Sequence, residues 1–359
     1  MYSSDLARQT FYAFCVECGL DQSQLFIDRI AERAPDVLAG SEYLGELEKV
    51  ARALVQLKPR QLIECLYGQV PTGFLGLLSR LGGDPLCGKE TYRNAFELFS
   101  NPRHRQRAKV LGQLPGRITP EQIAVAAGIT DVLIHRVVIE RCRIDEVLAL
   151  NAFVKMITDL CNATPASIRQ SLDKLNVGTT GVGMGEWAQG WLARQVRLPF
   201  DPPIPFDDPD LKLRLGVELT SLGRRMRNCA GHRQSYSFLS ERLIYEWTGA
   251  GGPAVLEFLR LTSGTEVRLV CEDLRAPRNR RVSPELATVI QLKLDAYGIL
   301  YQSLTHPTGD EQALHKLLDH TTPFAWDVRR EGADHENGDA DIDRMLDELE
   351  QEIHDREAA

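Results

Sequence analysis

The segment from Leu222 to Tyr236 is unusually rich in side chains that can do chemistry. It reads LGRRMRNCAGHRQSY and holds four guanidinium groups, one thiol, one imidazole and one phenol. If its second half is helical, Cys229 and Arg233 share one face with Tyr236, because side chains three and four residues apart lie together. Gly231 weakens such a helix, so a cap or a tight turn is equally compatible with the sequence.

A predicted hairpin farther along the chain adds a carboxylate and another guanidinium. Two runs rich in branched and aromatic residues flank Ser263-Gly264, which is typical of a two-residue β-turn. With that turn, Glu257 pairs with Val270, and its diagonal neighbours are Arg268 and Glu272. The opposite face carries the apolar residues that we expect in the core, namely Leu256, Phe258, Val267, Leu269 and Cys271.

Two interpretations of Glu257 are open at this point. Either it belongs to a solvent-exposed face with a charge pair, or it lines a cleft with the Cys/His/Tyr segment. A histidine beside a carboxylate can act as general acid and base, and a guanidinium can stabilise charge developing on a phosphoryl group. Cys229 is a weaker candidate for a covalent nucleophile, because thiols beside apolar helix residues are usually inert. For a cleft, the candidate catalytic residues are His232, Glu257, Arg268, Cys229 and Tyr236.

Arginines are concentrated in two segments, and this pattern predicts contacts with phosphates. The first is the Leu222–Tyr236 segment, and the second is Asp273–Arg281, which has the composition of a polar loop. Exposed guanidinium clusters neutralise the phosphate backbone of nucleic acids. The candidate nucleic-acid-binding residues are Arg224, Arg225, Arg227, Arg275, Arg278, Asn279, Arg280 and Arg281.

The acidic character of the whole chain does not contradict such a role. The 359 residues include 42 basic and 50 acidic side chains, a net charge of −8 at pH 7. From Glu331 to the end there are 12 acidic and two basic residues, so the remainder carries a net charge of +2. The body of the protein is therefore compatible with binding a polyanion.

The period of the apolar residues divides the chain into regions. Residues 1–197 repeat apolar positions every three to four residues, which predicts an all-α bundle or solenoid-like domain. Residues 198–210 contain five prolines and predict an extended linker. Residues 211–328 predict a small α+β domain, in which a broken helix from Leu211 to Leu239 precedes a three-stranded antiparallel sheet and another helix. Residues 329–359 predict an acidic, partly disordered tail, so the predicted fold class is mainly α.

Several classes of protein are disfavoured by the sequence. No stretch reaches the roughly 18–20 consecutive apolar residues that cross a bilayer, and the first residues lack the pattern of a secretory signal. The eight cysteines are scattered, as expected for reduced thiols, so we expect a cytoplasmic protein. Cys15 and Cys18 have metal-ligand spacing, but no second pair follows nearby, so we predict neither a metal nor a cofactor.

A weaker indication of DNA binding lies between Thr119 and Val138. Ala124 and Gly128 stand where a helix-turn-helix has its small contact and its turn glycine, and Asp131 and His135 would face DNA. Two short packed helices joined by a glycine turn produce the same pattern, so this segment alone does not predict DNA binding.

One further pattern within residues 216–299 consists of Asn228-Cys229-Ala230-Gly231, Tyr236, Glu257, Glu272 and Asn279. With these residues the segment resembles the PcfJ-like proteins of bacterial conjugative and other mobile elements, in which a His-Cys-Val-Gly-type motif ends a helix and the next strands bear Glu and Gln. Asn228 stands where that family has His, so a catalytic role for that histidine does not carry over, although His232 could compensate. The resemblance implies a cytoplasmic protein of a mobile element or a phage-defence locus, without a defined reaction.

Three functions are compatible with these observations. The leading hypothesis is a nucleic-acid-associated factor of a mobile element or phage-defence locus, which binds phosphates through the PcfJ-like domain. The second is a metal-independent phosphodiesterase or nucleotidyl enzyme that uses His232, Glu257 and Arg268. The third is an assembly component without activity, in which the helical domain or the acidic tail binds a protein partner. None of the three involves a membrane.

Overall fold

A computed structural model of the chain describes residues 4–19, 21–86, 90–175, 183–263 and 266–301. Its fold is mainly α, as predicted, with fifteen α-helices and one sheet in those ranges. Within the same ranges, no helix is both long enough and apolar enough to cross a membrane. The predicted acidic tail and part of the predicted hairpin turn lie outside the described residues.

Twelve helices, α1 to α12, form the N-terminal part of the described chain. They run Asp5–Glu17, Ser23–Arg33, Glu46–Gln56, Pro59–Tyr67, Phe74–Leu78, Glu90–Ser100, Arg105–Gln113, Pro120–Gly128, Arg136–Arg141, Val147–Leu160, Pro165–Lys174 and Met184–Leu192. Ser4, Thr119 and Thr164 begin three of them, because each hydroxyl accepts a hydrogen bond from a backbone N–H of the first turn. The apolar stripes meet in a core that completely buries residues such as Phe26 and Phe74.

The segment with the helix-turn-helix pattern is arranged differently from a DNA-reading pair of helices. After α8, a 3₁₀ turn at Asp131–Leu133 precedes α9, which has only six residues. Asp131 accepts a hydrogen bond of 2.6 Å from the buried Arg107. His135 caps α9 and lies 3.0 Å from Asp173. The polar side chains that would face DNA therefore bind the protein itself.

The C-terminal part contains a five-stranded sheet, so the predicted three-stranded sheet is incomplete. Strands β1 to β5 run Leu211–Arg214, Arg242–Trp247, Ala254–Ser263, Glu266–Arg275 and Leu300–Tyr301, in that spatial order. The predicted antiparallel strands are β2, β3 and β4, while β1 adds antiparallel to β2 and β5 adds parallel to β4. Three helices complete this part, namely α13 (Val217–Met226), α14 (Gln234–Phe238) and α15 (Pro284–Ala296).

The prediction of a helix from Leu211 onwards is wrong for its first four residues. Leu211, Leu213 and Leu215 alternate with basic residues, and this period of two is the pattern of a strand. The first of them is completely buried in the core of the sheet, and the segment pairs with β2 along its whole length.

The register of the β3–β4 hairpin also differs from the prediction. Leu261 pairs with Arg268, two residues farther along β4 than expected. A shift of two residues keeps every side chain on its own face, so the apolar pattern cannot distinguish the two registers. In addition, Phe258 pairs with Cys271 while Glu257 pairs with Asp273, which leaves one residue of β4 unpaired in a β-bulge.

The two faces of the sheet have different coverings. One face packs against α15 and forms a core with Tyr245 and Phe258 as large, completely buried members. The other face receives α13, whose Leu222 and Met226 pack with Ile244 of β2 in a small second cluster. The predicted core face of the hairpin is confirmed for four residues, since Leu256, Phe258, Leu269 and Cys271 are buried there.

The proline-rich segment 198–210 is not a solvated linker. Leu198 and Ile204 are buried in the core of the sheet. The carboxylate of Asp208 accepts a hydrogen bond of 2.8 Å from the first backbone N–H of β1 and lies 2.9 Å from Nζ of Lys293. Burial would raise the pKa of Asp208, but hydrogen bonds from Tyr297, Lys293 and the backbone lower it to about 2. The segment is thus part of the C-terminal fold.

Gly216 joins the C-terminal part to the helices. Its φ of +51° favours glycine, and a Cβ there would lie 2.6 Å from the carbonyl oxygen of Gln195. The ring of Phe238 contacts that of Phe153, with 5.5 Å between the centroids. Helix α13 is therefore anchored at its N-terminal end against the helical part, and its C-terminal end points away from that anchor.

Candidate nucleic-acid interface

The arginine-rich segment begins where α13 ends. Arg227 adopts a left-handed conformation with φ of +49°, which stops the helix. Oδ1 of Asn228 then accepts a hydrogen bond of 3.1 Å from the N–H of Ala230 and caps a 3₁₀ helix, Cys229–Arg233. Of the two arrangements that the sequence allows, the structure thus has a cap and a tight turn.

A close backbone approach holds this 3₁₀ helix against α13. A Cβ on Gly223 would lie only 2.7 Å from the backbone nitrogen of Gly231, so only glycine fits at position 223. This contact fixes the 3₁₀ helix next to α13. Cys229 and Arg233 therefore lie beside strands β3 and β4.

A small pocket, open to solvent and with a cavity volume of about 30 Å³, lies between this 3₁₀ helix and strands β3 and β4. Three buried apolar side chains form part of its wall, those of Ala230, Ile244 and Val255. The other lining residues are polar or carry a thiol, namely Asn228, Cys229, Arg233, Glu257, Asp273, Arg275 and Asn279. Of the residues of the predicted cleft, Glu257 and Cys229 line this pocket, whereas His232 and Tyr236 are not among its lining residues.

Glu257 is held by arginines other than the predicted one. Its Oε1 accepts a hydrogen bond of 2.9 Å from Nη1 of Arg242 and lies 3.5 Å from Nε of Arg233. Arg242 also binds Glu272. Burial alone would lower the pKa of the Arg242 guanidinium, but the two carboxylates outweigh burial and raise it. Arg233 in turn lies over the ring of Tyr236, with 5.5 Å between its guanidinium carbon and the ring centroid.

The end of β4 and the loop after it form the opposite wall of the pocket. Asp273 binds the backbone N–H of Leu274 and Nε of Arg275 through the same oxygen, Oδ1. Beyond it, Arg278 and Asn279 both have positive φ angles, of +62° and +54°. Two successive residues other than glycine in this conformation are uncommon, and such backbones cluster at functional sites.

The two arginine-rich segments meet at one side of this pocket. The 3₁₀ turn Pro277–Asn279 packs against α13. Four exposed arginines here have no ion pair with any other described residue, and we call them the arginine edge: Arg224, Arg227, Arg278 and Arg280. Arg275 binds Asp273, and Arg281 also has a contact of its own.

Arg225, the remaining predicted phosphate-binding residue, serves the fold instead. Its Nη1 and Nη2 donate to the two oxygens of Glu246 at 2.8 and 2.9 Å. Glu246 is buried and accepts a third hydrogen bond, of 2.8 Å, from Nε of Arg214. The hydrogen bond from Arg225, together with Arg214, lowers the pKa of Glu246 although burial acts in the opposite direction.

The structure separates the predicted catalytic residues. Cys229 and Glu257 line the pocket, but His232 is exposed and does not line it. Tyr236 is not among the described residues that line the pocket, and it contacts the lining residue Arg233. Arg268 lies four residues along the hairpin from the position of Glu257, or roughly 13 Å at the rise of a strand. The predicted set of His232, Glu257 and Arg268 is therefore not assembled.

Three residues of the site were missed by sequence reasoning. Arg233 lies in the recognised segment, but its role depends on the 3₁₀ helix that turns it towards Glu257. Arg242 comes from β2, whose register with β3 the sequence does not determine. Asp273 reaches the pocket because of the β-bulge, and the three-residue spacing of the buried Cys271 and Leu274 is the signal that could have revealed it.

Within the described ranges, no group of three His, Cys, Asp or Glu residues could hold a metal ion. Comparison of the chain with models of protein families, with curated proteins and with solved structures gave no match. The resemblance to the PcfJ-like proteins stays a prediction.

Proposed function

We propose that this protein binds the phosphate backbone of a nucleic acid along the arginine edge, with the pocket in the middle of the binding surface. The observation that carries the proposal is the meeting of two arginine-rich segments that are about fifty residues apart in sequence. Their four exposed guanidinium groups have no ion pair among the described residues.

Unpaired guanidinium groups are the ones that bind phosphates strongly. An arginine that already holds a carboxylate must give up that partner, whereas a solvated arginine exchanges only water and counterions. The charge of the chain up to residue 330 is +2, so the arginines of the edge do not face a strongly acidic body.

Binding without turnover fits the site better than phosphodiester hydrolysis. The proposed acid–base pair requires His232 beside Glu257, and the charge-stabilising role requires Arg268 at the same place. His232 does not line the pocket, and Arg268 belongs to the far end of the hairpin. The setting that we propose, a bacterial mobile element or phage-defence locus, depends on the resemblance of residues 216–299 to PcfJ-like proteins.

The proposal is tested by measuring how tightly the full chain binds single-stranded RNA and duplex DNA. Fluorescence anisotropy measures the affinity at several salt concentrations between roughly 50 and 200 mM. Replacing the arginine edge by alanines (Arg224, Arg227, Arg278 and Arg280) should weaken binding at least about 30-fold. It should also reduce the slope of log K against log salt by about 3, because each lost phosphate contact contributes roughly 0.7–0.9.

The matched control removes four exposed basic residues from the helical part, Arg60, Arg103, Arg105 and Lys155, and loses the same charge. Its affinity should stay within about threefold of the wild type, since long-range charge alone is screened at these salt concentrations. If both variants weaken binding equally, or if neither changes the salt slope, the arginine edge is not the binding site.

A further inference from the structure

We propose that the acidic segment, residues 331–359, binds the arginine edge of its own chain and competes there with nucleic acid. The competition rests on the proposed function, whereas the contact itself does not require nucleic acid. The segment lies outside the described residues. Two observations point to the contact, namely the distribution of charge along the chain and the direction in which the chain leaves the sheet.

The acidic segment and the arginine edge have complementary charges. The segment holds 12 acidic and two basic residues, a net charge of −10, while the chain before it carries +2. The four guanidinium groups of the edge are exposed and have no ion pair with any other described residue. A guanidinium binds a carboxylate and a phosphate through the same N–H groups. The acidic side chains are therefore chemical competitors of a phosphate backbone at this surface.

Strand β5 directs the chain towards the arginine edge. It is parallel to β4, with Tyr301 beside Cys271. The chain therefore leaves β5 towards the end of the sheet at which β4 passes into the loop with Arg278 and Arg280. From Cys271 to the last residue of β4, Arg275, there are four residues, or roughly 13 Å at the rise of a strand. The exit of the chain thus lies close to one half of the edge.

The connection between β5 and the acidic segment is long enough for this contact. Residues 302–330 number 29, and a coil of that length spans roughly 30 Å on average. A tether of this kind gives an effective concentration on the order of a millimolar. Exposed ion pairs are individually weak, but several of them suffice at such a concentration. Salt screens them, so the contact is reversible and a nucleic acid can displace the segment.

The test uses full-length variants in which six carboxylates become amides, so that the length of the chain and its apolar residues stay the same. The segment variant changes Asp to Asn and Glu to Gln at Asp341, Asp343, Asp347, Glu348, Glu350 and Glu352. The matched control makes the same changes at exposed positions of the helical part, namely Asp21, Asp36, Asp159, Glu42, Glu46 and Glu186. Both variants lose the same charge, so a difference between them reports its position.

The chemical reactivity of the arginines shows, without nucleic acid, whether the edge is covered. Phenylglyoxal modifies accessible guanidinium groups, and peptide mass spectrometry locates the modified residues. At roughly 50 mM salt, the edge should react at least about threefold more slowly in the wild type and the control than in the segment variant. Arg60 and Arg103, which are exposed in the helical part, should react equally in all three proteins. The protection should be the same at roughly 1 and 50 µM protein, because the contact lies within one chain.

The affinity for single-stranded RNA then measures the competition. At roughly 50 mM salt, the segment variant should bind at least about fivefold more tightly than the wild type. At roughly 200 mM salt, the two proteins should agree within about twofold, because screening releases the segment. The control should gain less than about twofold at either salt concentration. A gain of the control as large as that of the segment variant would reduce the effect to net charge and overturn the competition.

The outcomes separate this inference from the proposed function. Equal reactivity of the edge in the wild type and the segment variant overturns the contact and leaves the arginine edge as a nucleic-acid site. Protection that appears only at the higher protein concentration assigns it to the segment of a second copy and overturns the contact within one chain. Protection by the segment without any binding of RNA or DNA supports the contact and overturns the proposed function.

Discussion

Two glutamates on the same face of the sheet, Glu246 and Glu257, are paired with arginines to different extents. Glu246 lies under α13, and its two oxygens accept three hydrogen bonds from Arg214 and Arg225. Glu257 lies beyond the end of α13, and the described arginines bind only its Oε1. Where the helix covers the face, the ion pair is complete and supports the fold. Where the helix ends, the second oxygen of Glu257 has no hydrogen-bond partner among the described residues.

The same contrast applies to two neighbouring arginines. Successive residues of a helix point about 100° apart, so Arg225 reaches the sheet while Arg224 remains in solvent. The arginine-rich composition of the segment predicts phosphate binding for both residues. The position of the buried carboxylate of Glu246 is what separates them.

The largest effect is expected for Glu246→Gln. It leaves Arg225 without a carboxylate and Arg214 with only the longer, exposed pair to Glu218 among the described residues, so the free energy of unfolding should fall by about 3 kcal/mol. Chemical denaturation of Glu246→Gln and of the exposed control Glu241→Gln measures the difference, and the control should change by less than about 0.5 kcal/mol. Equal small losses would mean that the Glu246 pair does not support the fold.

This loss should depend on pH in a defined direction. The hydrogen bond from Arg225 is the main reason why the pKa of Glu246 lies below 4.5 in the folded protein. A carboxyl group with a lowered pKa contributes its stability above its unfolded pKa and loses it as the pH falls through the folded pKa. The difference between wild type and Glu246→Gln should therefore be full near pH 7 and shrink below about pH 4.5.

Arg225→Ala should have an intermediate effect and sharpen the contrast between the two arginines. It removes two hydrogen bonds to a buried carboxylate that keeps Arg214, so we expect a loss of about 1–2 kcal/mol in the free energy of unfolding. Arg224→Ala should lose about 0.5 kcal/mol or less and weaken nucleic-acid binding instead. The reverse order of stabilities would show that the two arginines have been assigned incorrectly.

Among the glutamates, the smaller effect is expected for Glu257→Gln. Its partners Arg233 and Arg242 are each about one third exposed, and Arg242 keeps Glu272. The free energy of unfolding should change by less than about 1 kcal/mol, as measured by the same denaturation. A loss as large as that of Glu246→Gln would mean that Glu257 is a structural residue and that the pocket is not a binding site.

Much of the fold could be predicted from periodicity. The helical repeat of the first part and strands β2 to β4 follow from apolar spacing and turn residues, and both are confirmed. β5 has two residues and depends on its position beside β4, so no local pattern could reveal it. The packing of 198–210 was missed because prolines predict local backbone conformation and not burial.

The candidate site could be predicted only in part, for two physical reasons. A strand period of two fixes which face Glu257 belongs to, but not whether its neighbour is Arg268 or Asp273. A helix repeat likewise brings Arg224 and Arg225 to one segment without showing which of them meets a buried carboxylate. The neighbour of Glu257 depends on the strand register, and the partner of each arginine depends on contacts between segments that are distant in sequence.

Hydrogen exchange of the full chain, with and without RNA, tests the central claim most directly, because it shows where a ligand lies. We expect RNA to slow exchange at residues 227–233 and 275–281, which border the pocket, and to leave α4 and α7 unchanged. Slower exchange confined to the helical part, or no change at 227–233 and 275–281 under conditions where RNA is bound, would contradict the assignment of the arginine edge and its pocket.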